Sequence, residues 1–433
     1  MKNKILDGVM GLCVGDAIGV PVEFVSRETL IKNPVINMRS YGTYNQPAGT
    51  WSDDTSMTLC LVDSLIKGLD YQDIMTNFHK WFDKGEFTPY GETFDVGNST
   101  RKAITRYSDG VPSLECGGLT EYDNGNGSLM RILPILFYLQ SIYGTEFPED
   151  DEAFDIIHNV SALTHAHTRS KIACGIYVSV ASELIGRENL KIAVGQGIYR
   201  AELYYKKQIK YKDELKYFNR LKEKDFEKLD ETNIKSSGYV VDTLEAAIWC
   251  LLNTNNYKDC ILKAVNLGED TDTVAAVAGG LAGMYYGYEN IPNEWLAKIA
   301  RREYIEDLCS QLNSAVNKMG IDKLCSYIPY FETATVGEKQ YNMPYPDYDR
   351  TLVQFIDDVY KTTLMTNNYL DIIKSRGING EREMSAAIDT ADLELVQAIL
   401  TGYVRQERFC DGLWASAVED KVFLKILKRL QQL

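Results

Sequence analysis

Apolar residues recur at helical spacing through most of this chain, and few segments show the period-two alternation of a half-buried strand. The segment Ser56–Gly68 is the clearest case. Its apolar positions are Met57, Leu59, Leu61, Val62, Leu65 and Ile66. Ala391–Val404 has a similar apolar face, for which Asp389 or Thr390 is a suitable N-cap. The sequence therefore predicts an all-α fold.

The charge balance limits the class of partner. The 433 residues include 61 Asp and Glu but only 46 Lys and Arg, which gives a net charge of −15. This balance argues against nucleic acid or an anionic membrane as the main partner, and it suits metal cations. Lysines and tyrosines interleave in Tyr204–Lys228, but acidic residues are mixed in. We therefore expect a solvated pair of amphipathic helices there rather than a nucleic-acid patch.

Neither a membrane span nor a secretion signal is predicted. The longest nearly uncharged apolar stretch, Val274–Gly287, is too short and too rich in small residues to cross a bilayer. The apolar N-terminal segment is interrupted by Asp7 and Asp16. Nine cysteines are scattered singly, which favours reduced thiols and a cytoplasmic location over a disulfide framework.

A segment with prolines, tyrosines and little periodicity divides the chain. We predict that residues 1–327 form a catalytic domain, that residues 328–349 are a linker, and that residues 350–433 form a small helical module.

Two acidic clusters stand at the starts of predicted helices. Ser52–Thr55 precedes Ser56–Gly68, and Asp270–Thr273 opens the small-residue helix Val274–Gly287. A cap needs one such residue, and adjacent carboxylates repel each other unless a cation lies between them. Together the clusters would supply the oxygen ligands of a two-ion Mg²⁺ or Mn²⁺ site. The alternative is two acidic helix starts that do not meet.

Three glycine-containing segments complete the set of motifs. Gly15–Glu23 is interpreted as a tight helix ending in a turn, and no Gly-Lys-Ser/Thr follows that would make it a P-loop. Phe94–Arg101 and Asn124–Arg131 look like loops whose backbone N–H groups could hold a phosphate or a sugar. Asn-Gly steps are equally typical of ordinary turns.

Taken together and in this order, the motifs resemble those of the ADP-ribosylglycohydrolase family. The resemblance covers about three quarters of the chain. It rests on Gly15-Asp16-x-x-Gly19-x-x-x-Glu23, Ser52-Asp53-Asp54-Thr55, Gly125-Asn126-Gly127-Ser128-Leu129-Met130-Arg131, Thr164-His165 and Asp270-Thr271-Asp272-Thr273. Phe94–Asn98 and Ser237–Thr243 look most like the bacterial dinitrogenase-reductase-activating branch, which cleaves ADP-ribosyl-arginine.

The resemblance implies an all-α fold around two divalent ions, Mg²⁺ or Mn²⁺. The implied metal ligands are Ser52, Asp53, Asp54, Asp270, Asp272 and Thr273. Glu23 and Asp95 are the implied catalytic carboxyl groups, and either is a candidate general base or acid. The implied substrate-binding residues are Asn98, Gly127, Ser128, His165 and Tyr239. The implied partners are ADP-ribose and an ADP-ribosylated protein, with arginine as the expected acceptor.

Two positions depart from the family pattern. Ser52 stands where Thr is commoner, which keeps the hydroxyl group. Glu269 stands where Gly is frequent, and its carboxylate is expected either to tune the site or to point to solvent.

Other readings of the family resemblance stay open. The substrate could be O-acetyl-ADP-ribose, a serine linkage or a free nucleoside-like compound, or the chain could bind ADP-ribose without catalysis. Intact acidic clusters argue against the last reading, because a structural relative has no need of repelling carboxylates. Glu407–Trp414 and Ile426–Leu430 look similar to a small bacterial domain of unknown function.

Overall fold

The computed structural model describes residues 3–144, 147, 150–186, 189–335, 348–362, 364–366 and 368–433, and within them it confirms the all-α prediction. The described residues form no β-strand, and their extended pairings are three isolated bridges, Tyr41–Gln46, Gly118–His165 and Gly125–Tyr239.

The helices follow one another along the chain, joined by short turns and 3₁₀ segments. Their bounds are α1 Lys4–Gly19, α2 Arg27–Lys32, α3 Asp53–Lys67, α4 Tyr71–Lys84, α5 Asn98–Ser108, α6 Ile135–Tyr143, α7 Asp151–Ala162, α8 Thr168–Glu183, α9 Leu190–Lys207, α10 Lys212–Leu215, α11 Val240–Leu252, α12 Tyr257–Asn266, α13 Thr271–Tyr286, α14 Asn293–Leu296, α15 Arg302–Cys325, α16 Ile328–Thr333, α17 Arg350–Tyr360, α18 Tyr369–Ser375, α19 Glu381–Ala387, α20 Leu393–Gln406, α21 Leu413–Glu419 and α22 Val422–Leu430.

The chain divides into two compact units. The larger unit comprises Lys2–Phe137 and Pro148–Asn313, and the smaller comprises Tyr138–Phe147 and Ser314–Leu433. The predicted linker, residues 328–349, falls in the smaller unit. It begins with α16, and its residues 336–347 lie outside the described residues.

Helices α1 and α13 lie at the centre of the larger unit, and glycines let their backbones touch. A Cβ atom at Gly15 would lie 2.1 Å from the carbonyl oxygen of Ala275, and a Cβ at Gly19 would lie 2.3 Å from the Cα of Asp272. Both distances are far inside van der Waals contact, so only glycine fits at this close approach. The packing therefore places the acidic start of α13 beside the end of α1.

The N-terminal segment Lys4–Val22 is long and apolar enough to cross a membrane by length and composition alone. However, 94 % of its most apolar window is buried inside the protein. Buried core helices pass the same test, and α1 lies in the core of the larger unit.

Both acidic clusters lie in the first turns of their helices. Helix α3 begins at Asp53, three residues before the predicted start, because Ser52 caps it by accepting from the N–H of Asp54 at 3.4 Å. Helix α13 likewise begins earlier than predicted, at Thr271. The free N–H groups of a first turn favour nearby carboxylates, which partly offsets the repulsion within each cluster.

The predicted helix pair in Tyr204–Lys228 is wrong beyond the end of α9. The chain continues there as the four-residue α10 and short 3₁₀ segments. The side chains of Phe218, Leu221 and Phe226 are buried, and because they lie only a few residues apart they hold the segment against the core as a series of short turns. Lysines in this part pair with carboxylates, as Lys222 does with Glu202.

The smaller unit has its own apolar core, in which the rings of Phe331, Phe355 and Phe423 pack against one another. Helix α20 lies in the same core and is capped by Asp392, whose carboxylate accepts from the N–H of Leu395 at 2.9 Å. The expected caps, Asp389 and Thr390, are therefore wrong, since the chain first makes a 3₁₀ turn over Ile388–Thr390.

Candidate functional site

The N-termini of α3 and α13 meet, so the alternative of two separate acidic helix starts is wrong. The hydroxyl of Thr273 donates to Asp54 Oδ2 across 3.4 Å. Oxygens of Asp16, Asp54 and Asp272 lie within 4.8 Å of one another, and so do oxygens of Glu23, Asp95 and Asp272. Asp272 belongs to both groups, and these carboxyl groups, together with Asp53 and Asp270, are hereafter called the acidic cluster.

Asp16 anchors the start of α3 to the end of α1. Its two oxygens accept from the N–H of Ser52 at 2.9 and 3.1 Å, and one of them accepts from the N–H and the hydroxyl of Thr55 at 3.1 and 2.5 Å. These bonds use the free donors of a helix N-terminus. Asp16 stood in a recognised motif, but its part in the site was not predicted.

Several buried oxygens of the acidic cluster lack a hydrogen-bond donor among the described residues. They are Glu23 Oε2, Asp54 Oδ1, Asp270 Oδ1 and Asp272 Oδ2. A buried, unpartnered carboxylate oxygen is costly. The hydroxyl of Ser52 lies at the same place and donates to Asp54 Oδ2 at 2.9 Å. Such a set of hard oxygen donors, with lone pairs left free, fits divalent cations.

Burial, helped by repulsion from neighbouring carboxylates, raises the pKa values of several carboxyl groups in the acidic cluster. For Asp53, Asp54 and Asp272, burial is the main cause and neighbouring carboxylates add to it, so each pKa lies well above its ordinary value. Burial raises the pKa of Asp16 to about 6, and burial with a neighbouring carboxylate raises the pKa of Glu23 to about 9. Without a cation the cluster therefore holds protons near neutral pH, which a bound cation would displace.

Several residues in or beside the acidic cluster have a positive φ angle. Phe24, Asp95 and Glu269 have φ values of 64°, 52° and 61°. Phe24 and Glu269 hold each other, since the N–H of Phe24 donates to the carbonyl of Glu269 at 2.6 Å. Glycine adopts such angles without strain, which explains why Gly is frequent at the position that Glu269 occupies here. Residue Glu269 is exposed, as the expectation of a solvent-facing carboxylate requires.

Tyr44 links the two predicted catalytic carboxyl groups. Burial is the main cause of the raised pKa of its phenol, and the neighbouring carboxyl groups of Glu23 and Asp95 raise it further. Its ring packs against Phe94, with 5.0 Å between centroids. No motif pointed to Tyr44, because only the folded chain brings it to the site.

A cavity of about 260 Å³ opens from the carboxylates. Its lining residues are Glu23, Asp53, Asp95, Gly97, Asn98, Ser99, Thr100, Tyr122, Gly125, Asn126, Gly127, Met130, His165, Gly238, Asp270 and Thr273. None of these described lining residues is a lysine or an arginine. The start of α5 also faces the cavity. Its N-cap is Gly97, which has no side chain to accept from the first N–H groups of the helix, so these groups are free to bind an anion.

One wall of the cavity is a pair of loops, residues 121–127 and 237–240, hereafter called the loop pair. The N–H of Asn126 donates to the carbonyl of Gly238 at 3.1 Å, and the N–H of Val240 donates to that of Asn124 at 3.0 Å. The Asn126 side chain also donates to Asp270 Oδ2 at 2.8 Å. Asn126 thus joins the wall to the acidic cluster, a role that sequence analysis missed although the residue stood in a motif.

His165 packs beneath this wall. A Cβ atom at Gly127 would lie 2.8 Å from its ring, so glycine is required for this contact. The Nδ1 atom lies 2.8 Å from the hydroxyl of Thr164. Burial, with the nearby Arg131, lowers the pKa of His165 to about 3, and its ring is therefore neutral at physiological pH.

Two predicted binding residues do not line the cavity with their side chains. The buried Ser128 hydroxyl accepts from that of Ser161 at 3.0 Å. The Tyr239 phenol accepts from Arg169 Nη1 at 2.9 Å. Their neighbours in sequence, Gly127 and Gly238, do line it.

Comparison with known proteins decides the family. A sequence model described as ADP-ribosylglycohydrolase matches residues 1–320. This chain belongs to the ADP-ribosylglycohydrolase family. It is similar to the ADP-ribosylarginine hydrolase Tri1 of Serratia proteamaculans (strain 568), at 36 % identity over 72 % of this chain and 79 % of that protein. The Tri1 protein of Pseudomonas putida (strain GB-1) is 32 % identical over 72 % of this chain and 78 % of its own.

Two further matches agree with this assignment. An ADP-ribosyl-dinitrogen reductase glycohydrolase of Rhodospirillum rubrum is 32 % identical over 69 % of this chain and 91 % of that protein. A solved structure described as an ADP-ribosylglycohydrolase-related protein complex matches with a TM-score of 0.58 and 29 % sequence identity. The match covers 72 % of this chain and 98 % of the chain in that structure.

These findings confirm the recognised family and the enzyme class. The chain is an ADP-ribosylglycohydrolase, a hydrolase of linkages to ADP-ribose. Residues 316–433 match a family of unknown function (DUF6508), which fits an additional C-terminal helical module.

Proposed function

We propose that this ADP-ribosylglycohydrolase cleaves the bond between ADP-ribose and an arginine side chain of a modified protein, using two Mg²⁺ or Mn²⁺ ions. The observation that carries this proposal is the set of buried, donor-free carboxylate oxygens at the end of the cavity. The relatives named ADP-ribosylarginine hydrolase support arginine as the acceptor.

The acidic cluster would hold the ions. The proposed ligands are Ser52, Asp53, Asp54, Asp270, Asp272 and Thr273, whose oxygens come from the first turns of α3 and α13. Bound divalent ions would polarise ribose oxygens and acidify a water molecule. Asp16 and Asn126 keep these ligands in place through the hydrogen bonds described above.

Glu23 and Asp95 would move the protons of the reaction. In the hydrolysis, a water oxygen bonds to C1 of the ribose, the C1–N bond breaks, and a proton ends on the arginine nitrogen, through a transition state that resembles an oxocarbenium ion. Both carboxyl groups line the cavity and lie near the Tyr44 phenol, so either is placed to accept or to donate a proton there.

The remaining proposed residues would bind ADP-ribose. Asn98, Gly127 and His165 line the cavity, and the free N–H groups at the start of α5 suit the diphosphate. Ser128 and Tyr239 would act by shaping the loops in which they lie.

The same proposal extends to the whole chain. Residues 1–327 would be the catalytic domain, residues 328–349 a linker, and residues 350–433 a helical module of unknown function. The free cysteines support a cytoplasmic location.

The linkage is tested by incubating the full-length chain with a protein ADP-ribosylated on arginine, a serine-linked peptide or O-acetyl-ADP-ribose, each with Mn²⁺ present. We expect ADP-ribose release from the arginine substrate to be fastest, and Asp95→Asn to slow it by about a hundredfold or more, as loss of a general acid or base does.

Asp7→Asn is the matched control. Asp7 is a buried carboxylate on α1 that pairs with Lys4 at 3.0 Å and lies outside the acidic cluster. It should keep full activity. Faster release from the serine-linked or acetylated substrate would overturn the arginine assignment, and an Asp95→Asn variant with full activity would overturn the role of Asp95. Tight ADP-ribose binding without any release would show a non-catalytic binding protein instead.

A further inference from the structure

Arg169 occupies an unusual place for a cation. It is the second residue of α8, and only 3 % of its side chain is exposed. The N-terminal end of a helix carries partial positive charge, which disfavours a cation there. Burial of a guanidinium adds a further cost unless its donors are paired. Its position therefore depends on the partners around it.

Those partners satisfy the guanidinium from several directions. Glu121 accepts from Nη1 and Nη2 at 2.7 and 3.2 Å, and Glu214 accepts from Nε at 2.8 Å. Nη1 also donates to the phenol of Tyr239 at 2.9 Å, and the guanidinium carbon lies 3.6 Å from the ring centroid of Tyr217. Two carboxylates already compensate one positive charge. The donors of the Arg169 guanidinium are thus used by protein groups, and the residue contributes to the site by holding those groups in fixed positions.

The partners come from separate segments that meet at the cavity. Glu121 and Tyr239 lie in the two halves of the loop pair, next to the lining residues Tyr122 and Gly238. Glu214 and Tyr217 come from the run of short helical turns after α9. A single side chain therefore ties both halves of the cavity wall, and the turns beyond them, to the start of α8.

We propose that Arg169 is a positioning residue of the ADP-ribose site, which fixes the loop pair in the shape that binds the ligand. This rests on the proposed function, since it concerns the same cavity. Arg169 does not line the cavity, so it acts through the loops and not by contact with ADP-ribose. The planar fork of arginine is essential, because lysine carries the charge but cannot bond two loops and a third segment at fixed angles.

The test is Arg169→Lys in the full-length protein with Mn²⁺ bound. We expect the Kd for ADP-ribose and the KM for the arginine-modified substrate to rise by about tenfold, as small misplacements of binding groups do. The kcat should change less than Kd and KM, because Arg169 bonds to no carboxyl group of the acidic cluster and Asp16 still anchors the start of α3.

Arg200→Lys is the matched control. Arg200 is another buried arginine of the larger unit, paired with Glu183 at 2.7 Å, and neither residue lines the cavity. It should leave Kd and KM unchanged while lowering thermal stability as much as Arg169→Lys does. A Kd that Arg169→Lys leaves unchanged, or a loss of kcat at constant KM, would overturn the proposal.

Glu121→Gln keeps the proposal testable if Arg169→Lys does not fold. Glu121 is 61 % exposed, so its exchange for a neutral residue of the same size does not disturb a core. We expect the Kd for ADP-ribose to rise in this variant, and, where Arg169→Lys does fold, the double variant to bind no more weakly than Arg169→Lys alone. An unchanged Kd in Glu121→Gln would contradict the positioning role of Arg169.

The two proposals fail differently. A natural chain that binds ADP-ribose but does not cleave the arginine linkage overturns the proposed function, while the Kd comparison still decides the role of Arg169. A natural chain with no measurable affinity for ADP-ribose overturns both.

Discussion

Asp54 illustrates, at the scale of a single residue, how the site depends on a cation. One of its oxygens accepts from Ser52 and Thr273, while the other is buried without a donor. Burial is the main cause of its raised pKa, and neighbouring carboxylates raise it further. Without a metal ion the residue avoids a buried charge by holding a proton, so proton release and metal binding are coupled.

This coupling predicts a pH-dependent stabilisation by metal. Folding raises the pKa of Asp16 from 3.8 to about 6 and that of Glu23 from 4.5 to about 9. The stability that these groups contribute is fully present below the lower values and is lost as the pH rises through the higher ones. Mn²⁺ binds the deprotonated cluster, so it should raise the melting temperature more at about pH 8 than at about pH 5.5.

Melting curves recorded with Mn²⁺ or with a chelator at both pH values provide the check. The Asp54→Asn variant should lose most of the metal-induced increase, whereas Asp7→Asn should keep it. An equal increase at both pH values, or a full increase in Asp54→Asn, would contradict the coupling.

At this scale, sequence analysis predicted the site residues that stand in motifs and missed those that only the folded chain brings to the site. The aspartates of both helix starts could be predicted, because several carboxylates in a row exceed what a cap requires. Tyr44 has no local signal, since its contacts with Glu23 and Asp95 arise only on folding. The strained angle at Glu269 is likewise a property of the backbone, which its side chain does not reveal.

At the scale of the element, glycines decide where the acidic helix starts meet. Gly15 and Gly19 on α1 allow contact with the backbone of α13, and that contact sets Asp272 beside the end of α1. Helical periodicity identifies each helix but not its partner. It also misses short turns, which is why the segment after α9 and the cap of α20 were predicted incorrectly.

The close packing predicts a strong effect of one methyl group. Gly15→Ala would place its Cβ 2.1 Å from the carbonyl oxygen of Ala275, so the helices must separate. We expect the free energy of unfolding to fall by about 3 kcal/mol or more, at or beyond the upper end for overpacked cores. Chemical denaturation monitored by circular dichroism measures the change.

Gly195→Ala is the matched control, because Gly195 also lies inside a helix but no atom lies within 4 Å of its added Cβ. It should raise stability by about 0.5–1 kcal/mol through helix propensity. Equal effects of the two substitutions would contradict the account of the α1–α13 contact.

At the scale of the whole molecule, the larger unit contains every described residue of the candidate site, and the smaller unit has a separate apolar core. The two family matches overlap at residues 316–320, inside α15, which runs from Arg302 to Cys325. The overlap contains no proline, and its one glycine, Gly320, does not interrupt the helix, so the sequence shows no break at this point. The boundary predicted from the prolines, at residue 328, stays a prediction for this reason.

The most direct measurement is a titration of activity with metal. Full-length protein is treated with a chelator and dialysed, Mn²⁺ is added back in steps, and ADP-ribose release from an arginine-modified protein is measured at each step. The account predicts no release above background without metal, and a rise that reaches its plateau at two equivalents per chain. Release that persists without metal, or a plateau at one equivalent, would contradict the two-ion site.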